Sequence, residues 1–471
     1  MERIDTDICV IGAGSGGLSV AAGAVQMGAR VVLVEGDHMG GDCLNTGCVP
    51  SKALIACAGV AETVRGAAEY GVRAGAAEVD FAAVMARVRA VIGTIAPVDS
   101  QERFEGLGCR VLRGWARFSG PREVVVGEVT VRARRFVIAT GSRAVVPDIP
   151  GLGSVPYMTN ETVFSQGARP AHLLVLGGGP IGIEMAQAHR RLGSEVTVIE
   201  AGRCLGREDP AAAEIVLERL RAEGVAFATG AGAVRVRDAG PGVEVVLADG
   251  RIVTGSHLLV AVGRKPALER LDLVAGGVEF GAAGVTVGAG LRSVSNRRVY
   301  VVGDAAGQGQ FTHLAAYHAG IVVRQAVLGL PARLRSDHIP RVTFSEPELA
   351  QVGPIEEEAR KAHGDGLQVL RADFAHNDRA VTAGQTEGFV KLLVVKGRVV
   401  GATIVGAGAG EVLAALALAV SARIKVSALA GVVLPYPTFA EAVKRAAGSY
   451  YTPTLFGPRI RAWVRFVQRL P

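Results

Sequence analysis

Two stretches of the chain share one order of apolar and polar positions. In each, an apolar strand leads into a glycine-rich turn, then a helix with apolar spacing, then a second apolar strand that ends in glutamate. The first stretch, TDICVIGAGSGGLSVAAGAVQMGARVVLVEG, starts at residue 6. The second, HLLVLGGGPIGIEMAQAHRRLGSEVTVIEAG, starts at residue 172. This order of elements predicts two βαβ units.

Both units carry the GxGxxG spacing of a dinucleotide-binding turn. The first two glycines allow a tight bend and the close approach of a pyrophosphate, and the third lets the helix pack on the strand. The helix N-terminus presents free N–H groups to the phosphates, and the terminal carboxylate can bind a ribose diol. One such spacing is weak, but two complete units predict two dinucleotide sites. Their residues are Gly12, Gly14, Gly17 and Glu35 in the first unit, and Gly177, Gly179, Gly182 and Glu200 in the second.

The remaining pattern divides the chain further. Residues 51–105 have helical spacing, and FVIATGSRAVVPDIPG at 136–151 predicts a strand and turn at a domain exit. From about residue 339 apolar and other positions alternate, as in KLLVVKGRVVGATIVGAG with its turn at Lys396-Gly397. Such alternation is typical of antiparallel strands. We therefore predict an α/β protein with two Rossmann-like domains and a C-terminal α+β domain.

Composition and charge narrow the classes of function. The 471 residues are 49% hydrophobic and 20% charged, which allows a large core and more than one domain. The net charge is +7, but the basic residues are dispersed and aromatic residues are only 5%, so nucleic acid is not predicted as a partner. No apolar run reaches the ~18 residues of a transmembrane helix, and the first strand leaves no room for a signal peptide. A cytoplasmic protein is predicted.

A pair of cysteines follows the first unit, in GGDCLNTGCVPSK at 40–52. The spacing of Cys43 and Cys48 differs from CxxC, which disfavours a zinc site. A disulfide needs Cα atoms about 4.4–6.8 Å apart, whereas five extended residues span ~16 Å, so the segment must coil, as Asn45 and Gly47 favour. A helix N-terminus and Lys52 would lower a cysteine pKa. Beside two dinucleotide sites, the pair predicts electron transfer between a nicotinamide, a flavin and a disulfide, with a buried inert pair as the alternative.

Further motifs make the chain similar to the flavin-dependent disulfide oxidoreductases, the family of dihydrolipoamide dehydrogenase, glutathione reductase and mercuric reductase. The resemblance runs nearly end to end, and the cysteine segment is its most specific part. The motifs are GAGSGG at 12–17, GGDCLNTGCVPSK at 40–52, ATGS at 139–142, GGGPIGIE at 177–184, VGRKP at 262–266, VGDAAG at 302–307 and PRVTFSEPELAQVG at 340–353.

The resemblance implies a domain order and a homodimer. An FAD-binding domain would take residues 1–145 and continue through 267–338, an NAD(P)-binding domain would take 146–266, and a dimerisation domain would take 339–471. Cys48 would be the thiolate that contacts the flavin. Cys43 would be the thiol that exchanges with a small-molecule or protein disulfide or thiol substrate. Lys52 and Glu184 would form an ion pair near the flavin.

The resemblance also implies cofactor contacts. Beyond the first glycine unit, the FAD contacts would be Lys52, Thr140, Gly141, Ser142, Asp304 and His313. Asp304 would hydrogen-bond the ribityl chain, and for His313 capping or packing is the alternative. Gly263 in VGRKP would contact the nicotinamide nucleotide. Glu200 favours NAD(H) over NADP(H) because a carboxylate repels a 2′-phosphate, although Arg203 lies close in sequence.

One stretch departs from the family. LPYPTFAEAVKRAAGSYY, from residue 434, has Tyr436 where the disulfide reductases carry an acid-base histidine, and it retains Pro437, Thr438 and Glu441. The reference pKa of tyrosine is near ~10, against ~6.5 for histidine, so tyrosine donates a proton at neutral pH but accepts one poorly. Tyr436 and Glu441 are predicted catalytic residues with altered chemistry, and a packing change is the alternative.

Together these observations predict an FAD-dependent NAD(P)H oxidoreductase that acts on a sulfur group. Mercuric reductases share the Pro-Tyr pair, yet they end in a vicinal cysteine pair and carry an N-terminal CxxC module. No cysteine follows Cys204, so their route for mercury is not expected here, and no resident metal is predicted. The electron acceptor stays open. A redox-sensing or complex-bound flavoprotein, or a reductase of a metal ion or quinone, is the alternative.

The segment PRIRAWVRFVQRL, from residue 458, predicts a basic amphipathic helix. The apolar stripe consists of Ile460, Trp463, Val464 and Val467. The arginines elsewhere on the helix are Arg461, Arg465 and Arg469. Such a helix can lie on an anionic membrane surface, so weak peripheral membrane contact is predicted. Packing of the stripe on the chain's own dimer is the alternative and is favoured.

Overall fold

The computed structural model describes residues 2–470. The chain forms two compact units with separate cores. The first unit contains the residues up to Ala201 together with Ala226–Arg335. The second contains Gly202–Val225 together with the residues from Ser336 onward.

The strands and helices are numbered in chain order. The strands are β1 (Glu2–Ile11), β2 (Val31–Glu35), β3 (Arg110–Arg113), β4 (Ala116–Gly120), β5 (Glu123–Val126), β6 (Val129–Ile138), β7 (Ser142–Ala144), β8 (His172–Leu176), β9 (Glu195–Glu200), β10 (Ala226–Thr229), β11 (Ala233–Asp238), β12 (Val243–Leu247), β13 (Ile252–Gly255), β14 (His257–Val260), β15 (Arg264–Pro266), β16 (Phe280–Gly281), β17 (Gly284–Val285), β18 (Val299–Val301), β19 (Pro340–Thr343), β20 (Glu348–Val352), β21 (Leu367–Asp373), β22 (Phe389–Val395) and β23 (Arg398–Gly406). The α-helices are α1 (Ser15–Gln26), α2 (Gly41–Asn45), α3 (Cys48–Gly66), α4 (Phe81–Ile95), α5 (Gln101–Gly106), α6 (Pro180–Arg191), α7 (Pro210–Ala222), α8 (Thr312–Ala326), α9 (Glu356–His363), α10 (Asp378–Thr382), α11 (Ala409–Ser421), α12 (Val426–Gly431), α13 (Glu441–Ser449), α14 (Thr452–Leu455) and α15 (Pro458–Val467). Short 3-10 helices lie at Ala67–Tyr70, Ala96–Asp99, Leu152–Ser154, Val163–Ser165, Gly303–Ala306, Gly364–Gly366 and Phe374–His376.

A mixed sheet and a parallel sheet lie in the first unit, and in the mixed sheet β5 pairs antiparallel with both β4 and β6. The larger has the strand order β3-β2-β1-β6-β5-β4, and β18 also pairs with β6. The smaller has the order β10-β9-β8-β14. In each sheet a helix joins two parallel neighbours, α1 between β1 and β2 and α6 between β8 and β9, so both predicted βαβ units are confirmed.

The apolar pattern explains why these strands are central. Every residue of β2 is buried, as expected for a parallel strand covered on both faces. Small buried residues of α1, such as Gly17, Ala21 and Ala24, let the helix pack closely. The helical segment predicted over 51–105 forms α3, α4 and α5. Asp80 and Ser100 cap α4 and α5 by accepting hydrogen bonds from backbone N–H groups.

An antiparallel sheet forms the core of the second unit. Its strand order is β19-β20-β23-β22-β21, and α11 and α13 pack on it. The predicted hairpin turn is confirmed, because Lys396 and Gly397 both have positive φ, 48° and 69°, between the antiparallel strands β22 and β23. The predicted α/β fold class with a C-terminal α+β part is therefore confirmed.

Helix α7 belongs to the second unit, although it lies between β9 and β10 along the chain. Asp209 caps α7, and its Oδ2 accepts a hydrogen bond at 2.8 Å from Nζ of Lys391 on β22. The two side chains are 1% and 9% exposed, so this is a buried ion pair. The predicted domain at 146–266 includes this helix, whereas the compact unit that contains it also contains most of the predicted domain at 339–471. The predicted boundaries stay predictions.

Two helical stretches, Gly41–Tyr70 and Phe81–Gly106, are long and apolar enough to cross a membrane by length and composition alone. The sequence predicted none because neither stretch is an uninterrupted apolar run. The first breaks between α2 and α3 and the second between α4 and α5. Within the first unit α3 packs against α4 and α6, and core helices commonly meet the same test.

Candidate active site

Cys43 and Cys48 lie on either side of a break between two helices. Cys43 is within α2, and Cys48 is the first residue of α3. Asn45 fixes the bend, because its Nδ2 donates to the backbone carbonyls of Met39 at 3.0 Å and Gly41 at 2.8 Å. Gly47 has no room for a side chain, since a Cβ there would lie 2.9 Å from the carbonyl and carboxylate oxygens of Asp42. The coiled path predicted from the spacing is present.

The two cysteines are free thiols that interact with each other. The hydrogen bond from Cys43 lowers the pKa of Cys48 to about 6. The hydroxyl of Thr312, 3.2 Å from Sγ of Cys48, and the charge of Lys52 act in the same direction, while burial and Asp42 oppose them. The pKa of Cys43 rises far above its ordinary value because of the interaction with Cys48 and burial. At neutral pH Cys48 is therefore the thiolate, and Cys43 holds the proton.

The predicted ion pair between Lys52 and Glu184 is brought together by α3 and α6. Nζ of Lys52 donates to Oε2 of Glu184 at 2.8 Å. The side chain of Glu184 is only 6% exposed, so its negative charge depends on a cation. One turn after Cys48, Lys52 also places a positive charge next to the thiolate.

The first and third glycines of both dinucleotide units are required by the packing of the protein. A Cβ at Gly12 or Gly177 would lie 2.4 Å from the carbonyl oxygen of the residue that follows β6 or β14, and both glycines have positive φ, 107° and 114°. A Cβ at Gly17 or Gly182 would lie 1.8 or 2.0 Å from the carbonyl oxygen of the first glycine in its unit. Because glycine has no Cβ at these positions, each helix can lie close to its strand.

The middle glycines face open space instead. A Cβ at Gly179 would meet no heavy atom within 4 Å, and one at Gly14 would meet only Cα of Gly41, at 3.8 Å. Neither residue has a positive φ, because their backbones are extended at −75° and −81°. Since the packing of the protein does not require these two glycines, their free space fits a pyrophosphate that approaches the backbone.

The terminal carboxylates take equivalent positions in the two units. Oε2 of Glu35 accepts a hydrogen bond from the N–H of Ala13 at 2.6 Å, and Oε2 of Glu200 accepts one from Gly178 at 2.8 Å. Each donor amide belongs to the residue that follows the first glycine of the turn. The two predicted ribose-binding carboxylates therefore lie at the glycine-rich turns, as a dinucleotide would need.

Among the predicted flavin contacts after β6, Ser142 binds Asp304. Ser142 Oγ donates to Oδ2 of Asp304 at 2.5 Å, and burial raises the pKa of this carboxyl. Gly141 has φ 67° with open space on its Cβ side, and Gly263 has φ 129° and the same open space. The hydroxyl Oγ1 of Thr140 is buried and has no hydrogen-bond partner among residues 2–470. An orphaned hydroxyl next to the open Gly141 fits residues that hold FAD, and the nicotinamide contact of Gly263 stays a prediction.

His313 and His318 differ in their surroundings on α8. The ring of His313 stacks on that of Phe311 at 5.2 Å, one residue from Thr312 and its contact to Cys48. His318 is fully buried, and burial lowers its pKa to about 4. Its Nδ1 accepts a hydrogen bond from the N–H of Gly303, next to Asp304. His318 thus supports the loop that carries Asp304, while the flavin contact of His313 stays a prediction.

Sequence reasoning missed a polar network beside the cysteines. Oδ1 of Asp42 accepts hydrogen bonds from Thr46 and Asn160, and Oδ2 forms an ion pair with Arg264 at 3.1 Å. Arg264 in turn donates to Ser142. The motifs at 40–52 and 262–266 contain both charged residues, but no local pattern showed that they meet.

Tyr436 and Glu441 lie in the second unit, before and at the start of α13. The hydroxyl of Tyr436 donates to Oδ2 of Asp378 at 2.6 Å, and this hydrogen bond raises the pKa of the tyrosine. Glu441 accepts from the N–H of Thr438 at 3.3 Å. The phenol O–H is therefore already engaged in a hydrogen bond to a carboxylate, and its catalytic role stays a prediction.

Family models match most of the chain. Residues 6–319 match the model described as pyridine nucleotide-disulphide oxidoreductase. Residues 339–447 match the dimerisation domain of the same name. These two matches cover the nucleotide units, the cysteine pair and the antiparallel sheet.

Characterised proteins resemble the chain over nearly its whole length. A mercuric reductase of Streptomyces lividans is 35% identical over 455 residues, covering 94% of this chain and 96% of its own. A dihydrolipoyl dehydrogenase of Thermus scotoductus is 35% identical over 453 residues with the same coverage. The crystal structure of LpdA from Mycobacterium tuberculosis superposes with a TM-score of 0.87 at 27% identity, covering 96% of this chain and 100% of that one. The HOCl-induced flavoprotein disulfide reductase RclA from Escherichia coli gives 0.84 at 27% identity, covering 94% and 99%.

Proposed function

The chain belongs to the pyridine nucleotide-disulphide oxidoreductases, and we propose that it carries electrons from NADH through FAD to the Cys43–Cys48 pair. The asymmetry of this pair is the main support. Cys48 is poised as a thiolate beside Lys52, and Cys43 holds the proton. An inert structural pair would have no need of opposite pKa shifts in its two thiols.

FAD, when bound, supplies the chemistry that links a hydride donor to a disulfide. The cysteines account for the rest of the proposed half-reaction. Reduction of a Cys43–Cys48 disulfide breaks the S–S bond with two electrons and takes up one proton, since Cys48 stays a thiolate. Passage of the Cys43 proton to Cys48 would then make Cys43 the nucleophile toward an acceptor disulfide. In this scheme Lys52 stabilises the thiolate, and Glu184 fixes the position of Lys52.

NAD(H) is the proposed nicotinamide nucleotide. Glu200 ends β9 at the second glycine-rich turn, where its carboxylate would repel a 2′-phosphate. Arg203, the nearby cation in the sequence, donates to the backbone carbonyls of Gly206 at 3.0 Å and Glu208 at 3.3 Å. Since its guanidinium is engaged within its own loop, it offers less support for NADP(H).

The acceptor is proposed to be a disulfide-containing molecule that does not depend on a strong external base. Tyr436 is a poor proton acceptor, and its hydroxyl is already bonded to Asp378. Lipoamide-type exchange should therefore be slow. A quinone and Hg(II) are the competing acceptors, the latter because several relatives are named mercuric reductase.

An acceptor screen tests the proposal. The FAD-loaded protein is assayed with NADH and with NADPH against lipoamide, a protein disulfide, a quinone and Hg(II). We expect NADH-driven disulfide reduction that Cys43→Ser abolishes, while NADH still reduces the variant's flavin. Turnover with a quinone that survives this substitution would replace the disulfide function. Absence of turnover with every acceptor would favour the redox-sensing alternative.

The dimerisation domain supports a homodimer. We also propose that α15 makes weak, peripheral contact with an anionic lipid surface. The helix is present, though it ends at Val467, so Arg469 lies in the turn beyond it. Trp463 and Phe466 are exposed with their rings 5.6 Å apart, and residues 452–470 contain several arginines and no acidic residue. Exposed aromatic rings among arginines are complementary to an anionic bilayer interface.

Co-sedimentation with vesicles tests the lipid proposal. The dimer should pellet with phosphatidylglycerol vesicles and stay in solution with phosphatidylcholine vesicles. A variant with Trp463→Ala and Phe466→Ala should lose the binding. If the same fraction of the dimer pellets with both vesicle types, or if the substitutions weaken the dimer, the lipid proposal is wrong and the helix packs within the dimer.

A further inference from the structure

The carboxylate of Asp42 lies next to the cysteine pair. Asp42 directly precedes Cys43 in α2, and its side chain rests against Gly47, the residue before Cys48. A Cβ at Gly47 would lie only 2.9 Å from Oδ2 of Asp42. A fixed negative charge is therefore held against the segment that joins the two sulfurs. Such a charge disfavours a thiolate, because like charges repel.

Arg264 is the cation that faces this carboxylate. Its Nη2 lies 3.1 Å from Oδ2 of Asp42, and its side chain is only 12% exposed. The other two partners of the carboxylate, Thr46 and Asn160, are uncharged, and they donate to Oδ1 at 2.8 and 2.9 Å. Among these partners, only Arg264 cancels the charge of Asp42.

A second set of contacts fixes Arg264 in place. Its Nε donates to Oγ of Ser142 at 2.8 Å, and its Nη2 donates to the carbonyl of Ser142 at 3.0 Å. The hydroxyl of Ser142 in turn donates a 2.5 Å hydrogen bond to Asp304. Arg264 thus stands between two carboxylates, one beside the cysteines and one at the predicted flavin contact. The planar guanidinium cannot move away without breaking its ion pair with Asp42 and its hydrogen bonds to Ser142.

We propose that Arg264 is a positioning residue that shields Cys48 from the negative charge of Asp42, and so sets the pH range in which Cys48 is a thiolate. The inference rests on the proposed function of the cysteine pair. It adds a residue that touches neither sulfur but controls their charge.

The other groups around Cys48 are few. Cys43 faces it from α2 and Lys52 from its own helix, and Thr312 on α8 is uncharged. Glu184 on α6 is paired with Lys52, and His313, next to Thr312, stacks on a phenylalanine ring. None of these groups pairs with Asp42 in the contacts described above. The Asp42–Arg264 pair can therefore be changed while the direct partners of Cys48 stay the same.

The proposal predicts opposite effects from the two halves of the pair. Asp42→Asn removes a negative charge and should lower the pH at which Cys48 ionises. Arg264→Gln leaves Asp42 unshielded and should raise that pH. We expect shifts of about half a unit to one unit, since the carboxylate is partly exposed. The double variant should lie close to Asp42→Asn, because Arg264 acts only through Asp42.

The pH dependence of alkylation provides the measurement. FAD-loaded protein is reduced with a phosphine and treated with iodoacetamide over a range of pH, and peptide mass spectrometry separates modification of Cys48 from that of Cys43. Asp249→Asn and Arg251→Gln are matched controls, because they remove an exposed ion pair of the same unit. Both controls should keep the wild-type profile. Arg264→Lys keeps the charge and should stay closer to wild type than Arg264→Gln.

Shifts of Cys48 in the same direction for Asp42→Asn and Arg264→Gln would overturn the proposal, because a structural loss acts that way. Unshifted profiles in folded variants, judged by circular dichroism, would overturn it as well. Should Arg264→Gln not fold, the test rests on Asp42→Asn, whose Cys48 profile must move to lower pH, and on Arg264→Lys, whose profile must stay closer to wild type than that of Asp42→Asn. Alkylation needs no turnover, so opposite shifts in a protein without NADH-driven reductase activity would refute the proposed function and leave the electrostatic role intact.

Discussion

Alanine at Gly179 would separate what the second glycine-rich turn needs for folding from what it needs for binding a nucleotide. Gly179 is the N-cap residue of α6, with φ −75° and ψ 179°, a conformation open to alanine. A Cβ there meets no heavy atom within 4 Å. We therefore expect Gly179→Ala to change the free energy of unfolding by no more than about 0.5 kcal/mol.

Gly182→Ala is the matched control, because the same methyl group is added three residues later. There the Cβ would lie 2.0 Å from the carbonyl oxygen of Gly177 and 3.3 Å from the side chain of Val175. Helix and strand would have to separate, and such overpacking typically costs about 1–3 kcal/mol or more. This variant should unfold at a clearly lower temperature than Gly179→Ala.

Although Gly179→Ala should affect stability less than Gly182→Ala does, we expect Gly179→Ala to weaken the binding of NADH. A methyl group on Gly179 would stand where a pyrophosphate approaches the backbone, so the affinity for NADH should fall at least ~10-fold, or ~1.4 kcal/mol. Calorimetric titration of the folded variant with NADH or NAD⁺ measures the affinity, and circular dichroism melting measures the stability. Gly14→Ala should reduce the FAD content in the same way, because its Cβ meets only Cα of Gly41 at 3.8 Å.

Two results would refute this reasoning. The first is a Gly179→Ala protein that binds NADH with unchanged affinity, which would mean that the open space faces no pyrophosphate. The second is an equal loss of stability in Gly179→Ala and Gly182→Ala, which would mean that the middle glycine also serves the packing.

Three further predictions concern the cysteines, the tyrosine and a buried ion pair. Cys48→Ser should abolish the long-wavelength absorption of a thiolate beside oxidised flavin, and the wild-type band should fade as the pH falls through about 6, where Cys48 takes up a proton; spectra of the two-electron-reduced protein on both sides of that pH check this. Tyr436→His should raise lipoamide turnover, by up to the ~10²–10⁴-fold typical of general acid-base catalysis, without changing flavin reduction by NADH in stopped flow; a folded variant with no gain would contradict it. Lys391→Met leaves the buried carboxylate of Asp209 without its cation and should cost about 3–5 kcal/mol in denaturant unfolding. Lys361→Met, which removes an exposed pair, should leave the denaturation midpoint close to that of the wild type, and equal losses in the two variants would mean that burial is unimportant.

The elements that the sequence predicted correctly are those whose cause is local. An unbroken apolar run in β2 and small residues in α1 are visible in a window of a few residues, and they follow from burial on both faces and from close helix packing. The hairpin at Lys396-Gly397 is equally local, because two positive φ values are needed at that turn. The coil at the cysteine pair followed from the reach of five residues against the length of a disulfide.

The contacts that the sequence did not show join residues far apart in the chain. Thr312 is 264 residues from Cys48, and Asn160 is 118 residues from Asp42. Threonine and asparagine occur at many positions, and no spacing marks these two as partners of the redox segment. The partner of Tyr436 was missed for the same reason, since Asp378 lies 58 residues earlier. Such pairs depend on the register of separate elements, which periodicity does not specify.

The placement of α7 has a consequence for how the polypeptide matures. The buried face of this helix, which includes Val216, Leu217 and Leu220, packs on β20 and β23, and both strands are synthesised more than a hundred residues later. Domains usually fold in the order in which they leave the ribosome. In this chain the apolar face of α7 has no partner strand until β20 and β23 have been synthesised. A ribosome stalled before β20 should therefore carry a nascent chain that recruits chaperones at α7.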